Sequence, residues 1–209
     1  MERIFITDRL SYWKATENPL SADVGVIQGE NNVWLFDVGN SPKVAAAING
    51  LTGQKNVVLS HFHPDHIGNL GKIRYTRLYQ GANTLRYTGT GTAVTEDVYL
   101  QDGVTLHLFP LPSSHAKGSI GLEINGEYAF LGDGIYSTVK SGKTVYNAGL
   151  LLEEIKVLRL LKAKHFLLSH DERFIYSREE ALEQLEEIYR RRDPKSSYIF
   201  LENTGTEKK

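Results

Sequence analysis

A run of metal-binding side chains, His-Phe-His-Pro-Asp-His, lies about a third of the way along the 209-residue chain. From this chain's own composition, the pattern H-x-H-x-D-H arises by chance in roughly 3 of 10,000 sequences of this length. His61 and His63 point to the same side of an extended backbone, and a turn through Pro64 brings Asp65 and His66 to an adjacent point. Imidazole and carboxylate donors without sulfur suit zinc, iron or manganese. The run therefore predicts a metal site.

Three more side chains with metal-binding groups follow apolar strands. His115, Asp133 and His170 each stand at the start of a loop, where side chains from several strand ends meet. We expect them to join the cluster. His107 and His165 lie within or at the start of β-prone runs, and we interpret them as packed or solvated histidines.

The elements that must position these groups are mostly short strands. The β-prone runs are 4–6, 24–28, 33–36, 56–60, 166–168 and 198–201, and most of the segment 77–131 also favours strands. Helices are predicted from Ser41-Pro42 to near Gly50, over 150–162, and from a capping box at 177–180 to about Arg192. Asn125-Gly126 predicts a hairpin. This order predicts an α+β fold in which helices cover sheets.

Composition narrows the class of function. The chain has no cysteine, which excludes disulfides, thiolate metal sites and cysteine nucleophiles. A net charge of −1 with both signs spread along the chain gives no electrostatic footprint for nucleic acid or an anionic membrane. No segment approaches the roughly 18 apolar residues of a membrane span, and the N-terminal residues show no signal-type apolar stretch. We expect one domain over 1–209 in a cytoplasmic protein.

The order of the metal-binding residues resembles that of the metallo-β-lactamase superfamily of dinuclear metallohydrolases. The resemblance rests on the run at 61–66, on His115, on Asp133 between two glycines, and on His170. It covers nearly the whole chain, beginning at Phe36-Asp37-Val38-Gly39. It implies an αββα sandwich with the site at one edge of the two sheets. It is specific for fold and metal site but not for substrate.

The resemblance also implies a role for each residue. The seven implied ligands are His61, His63 and His115 for one metal, Asp65, His66 and His170 for the other, and Asp133 for both. The two divalent ions are expected to be zinc, with iron or manganese as alternatives. Asp37 matches an acidic position that orients the ligands, although an ordinary turn aspartate before Gly39 is the alternative interpretation.

Such a centre implies hydrolysis by a hydroxide that bridges the metals. Asp65 is the candidate that moves a proton to the leaving group. Tyr136 resembles the tyrosine with which lactone hydrolases bind the substrate carbonyl, and an ordinary loop aromatic is the alternative. We expect a small-molecule lactone or thioester as substrate and consider a homodimer possible. The alternatives are a phosphodiesterase, a β-lactam hydrolase, an iron-dependent sulfur dioxygenase and a non-catalytic metal-binding protein.

Four further residues could line the pocket. Tyr12 and Trp13 form either an aromatic flap over the pocket or a packed surface loop. Asn69 stands where relatives often have glycine, and is expected to narrow the approach to the metals. Lys117 either attracts an anionic group or points into water.

Overall fold

Two stacked sheets with helices on their outer faces make up the computed structural model, which describes residues 2–201. In chain order, the strands are β1 (Arg3–Phe5), β2 (Leu10–Trp13), β3 (Thr16–Glu17), β4 (Leu20–Ser21), β5 (Val24–Gln28), β6 (Asn32–Phe36), β7 (Gln54–Leu59), β8 (Arg77–Gly81), β9 (Thr92–Val94), β10 (Val98–Gln101), β11 (Thr105–Leu111), β12 (Ser119–Ile124), β13 (Tyr128–Gly132), β14 (Thr138–Lys140), β15 (Lys143–Asn147), β16 (His165–Leu168), β17 (Ile175–Ser177) and β18 (Tyr198–Phe200). The helices are α1 (Pro42–Gly50), α2 (Pro64–Ile67), α3 (Ala82–Thr88), α4 (Ala148–Leu160) and α5 (Arg178–Arg190), and a 3₁₀ turn covers Leu70–Lys72.

The first sheet has the spatial order β1-β2-β5-β6-β7-β8-β9, and the second has the order β10-β11-β12-β13-β16-β17. Strands β6 to β9 run parallel, as do β13 and β16, while the other pairs of these two sheets are antiparallel. Two smaller sheets, β14-β15-β18 and β3-β4, complete the strands. Parallel neighbours end at the same edge of a sheet, so they carry the loops that follow them to one place.

The apolar core lies between the two large sheets. There Phe36 of the first sheet stacks on Phe130 of the second, with ring centroids 5.1 Å apart. Helix α1 buries Val44 and Ile48 against the outer face of the first sheet, and α4 and α5 cover the second sheet with an apolar cluster that includes Leu158. The expected α+β fold with an αββα sandwich is confirmed. Within residues 2–201, no helix combines the length and apolar character of a membrane crossing.

Most predicted elements occur within a few residues of their expected bounds. Helix α1 begins at Pro42 as expected, and the turn at Asn125-Gly126 has the positive φ angles, 54° and 63°, of a tight hairpin. The hydroxyl of Ser177 accepts a hydrogen bond from the backbone N–H of Glu180 at 3.1 Å, as the capping motif predicts. Helix α3 is an addition, because the segment 77–131 was expected to favour strands.

The aromatic flap is a wrong interpretation. Tyr12 and Trp13 belong to β2, which pairs with β1 on one side and β5 on the other. Both side chains are buried, and Tyr12 stacks on Phe174 with centroids 3.9 Å apart. The two aromatics are therefore core residues, because β2 is an inner strand whose two faces are both covered.

Candidate metal centre

The loops at one edge of the sandwich bring the seven predicted ligands together. His61 and His63 follow β7, Asp65 and His66 lie on the short helix α2, and His115, Asp133 and His170 follow β11, β13 and β16. The two sheets are joined at this edge, since the N–H of Ile120 donates to the carbonyl of Ser60 at 2.9 Å.

A close approach between the sheets requires a glycine beside the cluster. Gly132 has a φ of +58°, and a Cβ built on it would lie 2.7 Å from the side chain of Ser60. Any larger residue would both strain the backbone and push the two strand ends apart. The spacing of Asp133 from the histidine run therefore depends on this glycine.

Three histidine rings form one side of the cluster. The ring centroids of His61 and His63 are 4.4 Å apart, and those of His63 and His115 are 4.8 Å apart. The Nε2 atom of His115 lies 3.1 Å from the Nδ1 atom of His63. Two ring nitrogens at this distance must share one proton or face a common cation, because two N–H groups would repel each other.

The other side of the cluster is mixed. The Oδ2 atom of Asp65 lies 2.9 Å from Nε2 of His170 and 3.5 Å from Nε2 of His66. Asp133 stands between the two sides: its Oδ1 lies 3.4 Å from Nε2 of His66, and its Oδ2 lies 3.4 Å from Nε2 of His115. One carboxylate thus reaches both sides of the cluster.

The donor atoms fit divalent metal ions. Nε2 of His61, Nε2 of His66 and Oδ1 of Asp133 are buried and have no hydrogen-bond partner. A buried polar atom left unpaired costs about 1–3 kcal/mol, so three at one point need an explanation. Ligand atoms lie within 4.8 Å of one another in three overlapping sets: His61, His63 and His115; His61, His66 and Asp133; and Asp65, His66 and His170. Nitrogen and oxygen donors so arranged suit divalent ions such as zinc, iron or manganese.

Asp37 and Ser60 orient His66 and His61 through hydrogen bonds to their Nδ1 atoms. Oδ2 of Asp37 accepts hydrogen bonds from Nδ1 of His66 and from the hydroxyl of Ser60, each at 2.7 Å, while Oδ1 accepts from the Ser60 N–H. The Ser60 hydroxyl oxygen is then free to accept from Nδ1 of His61 at 3.0 Å. Both histidines therefore donate through Nδ1 and turn Nε2 toward the cluster.

Sequence reasoning missed Ser60. Its position directly before the first histidine of the run, at the end of a buried strand, is the signal that could have found it.

Burial and neighbouring charges shift the pKa values of the cluster residues in different directions. Burial lowers the pKa of His66, but the carboxylates of Asp37 and Asp133 outweigh it and raise that pKa to about 10. Burial raises the pKa of Asp65, but its hydrogen bond with His170 and the charge of His66 hold it at about 2. Burial and the neighbouring rings lower the pKa of His61. The carboxylates thus favour a protonated His66 in the absence of metal. A metal ion bound at Nε2 would compete with a proton at that nitrogen and leave Nδ1 bonded to Asp37.

Tyr136 lies beside the cluster, with its ring centroid 6.4 Å from that of His115. Its hydroxyl donates to the backbone carbonyl of Ser169 at 2.7 Å. The hydroxyl proton is therefore engaged by the residue before His170, and donation to a substrate carbonyl would require that bond to open. The expected substrate contact of Tyr136 stays a prediction.

Other predicted residues lie outside the cluster. Asn69 is buried and donates through its amide to the carbonyls of Val38 and Ser41, so it fixes the loop after β6 instead of narrowing the approach to the metals. Lys117 is exposed, which fits both of its interpretations, so its role stays a prediction. His107 is held by Glu123 at 3.0 Å, and His165 stacks on Tyr128.

Comparison with known proteins identifies others that share this fold. Residues 18–81 match the family model described as the metallo-beta-lactamase superfamily. No curated protein matches the chain. Among solved structures, a B3 metallo-β-lactamase with an active-site glutamic acid is similar at a TM-score of 0.66 and 12 % identity, over 91 % of this chain and 88 % of that chain.

Two further structures are similar. A metallo-β-lactamase from Pontibacter korlensis aligns at a TM-score of 0.66 and 15 % identity, over 88 % of this chain and 97 % of its own. A flavo di-iron protein from Thermotoga maritima has the same TM-score, 0.66, and 15 % identity, over 93 % of this chain and 62 % of its own. At these identities the likeness shows the fold.

Proposed function

The chain has the fold of the metallo-β-lactamase superfamily, and on that premise we propose that it is a metal-dependent hydrolase that cleaves an ester-type bond in a small molecule. The observation that carries the proposal is the convergence of three buried, unpaired ligand atoms, on His61, His66 and Asp133, within the cluster of seven. The fold by itself does not assign a function, because folds of this kind carry several chemistries. The unpaired ligand atoms are what favour a bound metal ion at that point.

The side chains would divide the work. Two divalent ions held there would polarise a carbonyl oxygen and lower the pKa of water toward neutrality. Asp133 reaches both sides of the cluster and would keep the two sets of ligands at a fixed separation. Asp37 and Ser60 would hold the rings of His66 and His61 so that no reorientation is needed when the substrate arrives.

Asp65 is the proposed proton carrier. Its carboxylate is held ionised at neutral pH, with a pKa of about 2, and its side chain is 14 % exposed, so it faces the accessible side of the cluster. In the proposed reaction, Asp65 would accept the proton that the attacking water releases and pass it to the departing oxygen or sulfur. His170, at 2.9 Å, keeps Asp65 in place for both steps.

The favoured substrates are a lactone or a small thioester. Among residues 2–201, no lysine or arginine forms an ion pair with Asp65 or Asp133, the two carboxylates of the cluster. An uncharged carbonyl needs no such partner, whereas a phosphodiester carries a charge that additional cationic side chains commonly bind. His115 and His170, whose side chains are 21 % and 23 % exposed, leave the cluster open to a small molecule.

The test is proton release by zinc-loaded protein with lactones, thioesters, phosphodiesters and a β-lactam, with the Asp133→Ala variant as control. We expect turnover of lactones or thioesters that the variant loses. Turnover that persists unchanged in the variant would contradict the proposal. Absence of hydrolysis together with oxygen consumption by iron-loaded protein would contradict it too, and would indicate the sulfur dioxygenase instead.

A further inference from the structure

Asp23 is a buried carboxylate that joins three distant segments. It lies between β4 and β5 and is 5 % exposed. Its Oδ1 accepts a hydrogen bond from the N–H of Ala15 at 3.0 Å, and its Oδ2 accepts one from the N–H of His170 at 3.0 Å. Its own N–H donates to the hydroxyl of Ser169 at 3.0 Å. Asp23 thus binds the backbone of the loop that carries His170 from a position 147 residues earlier.

The residue before Asp23 binds another member of the cluster. The N–H of Ala22 donates to the carbonyl of Asp65 at 2.9 Å. Two consecutive residues therefore fix the backbones of Asp65 and His170, whose side chains meet at 2.9 Å. These two belong to the same set of ligand atoms, together with His66. Asp23 has no hydrogen bond with the set formed by His61, His63 and His115.

The backbone of His170 needs such a restraint. Its φ is +61°, in the left-handed region that costs a residue with a Cβ roughly 1–2 kcal/mol. Strained conformations persist where surrounding contacts determine them, and the carboxylate of Asp23 supplies one by accepting the N–H of that residue. Relaxation to a negative φ would redirect the ring away from Asp65.

We propose that Asp23 is a positioning residue that sets the affinity of one of the two metal positions, the one formed by Asp65, His66 and His170. The inference rests on the proposed function, since it assumes that the cluster binds metal. Asparagine at position 23 would keep one oxygen acceptor but turn an N–H₂ group toward a backbone N–H, so one of the two bonds would be lost. Loss of a contact that orients a ligand typically weakens metal binding 10–100-fold.

The experiment is a titration of the metal-free protein with Co²⁺, followed by its visible absorption and by calorimetry. We expect the wild-type protein to bind two ions. Asp23→Asn should bind one ion with unchanged affinity and the other 10–100-fold more weakly. His170→Ala identifies the absorption bands that belong to the affected position. Ser169→Ala, which removes a partner of Asp23 but leaves its bonds with Ala15 and His170, should have a smaller effect in the same direction.

Asp102→Asn is the matched control. It removes a buried carboxylate between β10 and β11 that binds the start of β6, whereas the metal cluster lies beyond the end of β6. It should leave both affinities unchanged even where it lowers the melting temperature. Equal weakening of both positions by Asp23→Asn, or unchanged affinity at both, would overturn the inference while leaving the proposed function intact. A wild-type protein that binds no Co²⁺ at the cluster would overturn both.

Discussion

Oδ2 of Asp37 lies 2.7 Å from Nδ1 of His66, and both groups are almost fully buried. The carboxylate fixes which nitrogen carries the ring proton, so Nε2 faces Asp65 and Asp133. Asp37 itself has a φ of +60°, a conformation that aspartate tolerates better than most residues. The early aspartate of the sequence therefore acts on the centre through a histidine 29 positions later.

Asp37→Asn should weaken metal binding. The substitution keeps the volume of the side chain but leaves one oxygen to serve donors that now share two, namely Nδ1 of His66 and both donors of Ser60. We expect a 10–100-fold loss of zinc affinity. Competition with a chelating dye measures it, with Asp8→Asn at an exposed position as the control. Equal affinities in the two variants would show that Asp37 is a turn residue alone.

His63 and His107 allow a matched test of the metal cluster, because one histidine lies in the cluster and the other lies outside it. His63 faces His115 within the cluster, whereas His107 is held by Glu123 on β12, away from it. His63→Ala should lower the zinc content and reduce any metal-dependent turnover at least 100-fold, because an ion loses a ligand. His107→Ala should retain both. Metal analysis and initial rates measure the two variants side by side, and loss of zinc from His107→Ala would contradict the assignment.

The ligands could be predicted from the sequence because their chemistry is rare and their order is distinctive. The contacts that hold them could not. Ser60 stands beside the histidine run, but its partner Asp37 lies 23 positions earlier, so the run alone does not give its role. Asp23 is an ordinary residue between two strands and its partner lies 147 positions away, so no local pattern reports it. Strand β2 could not be predicted because Tyr12 and Trp13 form only a short apolar run between charged residues. Helix α3 could not be predicted because its N-cap residue is Gly81, which has no side-chain oxygen to mark the start of a helix.

Trp13→Ala should affect stability and not the Michaelis constant. The indole is 4 % exposed and packs in the apolar core between α1 and the first sheet. Its removal therefore leaves a cavity that costs about 3–5 kcal/mol of stability. Urea unfolding measures the loss, and kinetics well below the melting temperature should be unchanged. Leu160→Ala, at a side chain that is 85 % exposed, is the control and should cost no more than about 0.5 kcal/mol. A raised Michaelis constant with unchanged stability would support the flap interpretation instead.

The carboxylate of Asp102 should make stability depend on acid pH. It accepts hydrogen bonds from the backbone and side chains of Asn31 and Asn32 and from the indole of Trp34 at 2.9 Å. Burial raises the pKa of Asp102, but these donors outweigh it and lower the pKa to about 2, against 3.8 for an unperturbed aspartate. The ionised form is favoured in the folded state, so its contribution is complete above pH 4 and disappears as the pH falls toward 2.

Asp102→Asn should therefore lower the free energy of unfolding by about 2 kcal/mol at pH 7, since a shift of one pKa unit corresponds to roughly 1.4 kcal/mol. The difference between the wild-type protein and the variant should shrink between pH 4 and pH 2, because protonation removes from the wild-type protein what the substitution removes from the variant. Urea unfolding at pH 7, 4, 3 and 2.5 measures both curves. A difference that stays constant across this range would mean that the hydrogen bonds of Asp102 stabilise its protonated and ionised forms equally.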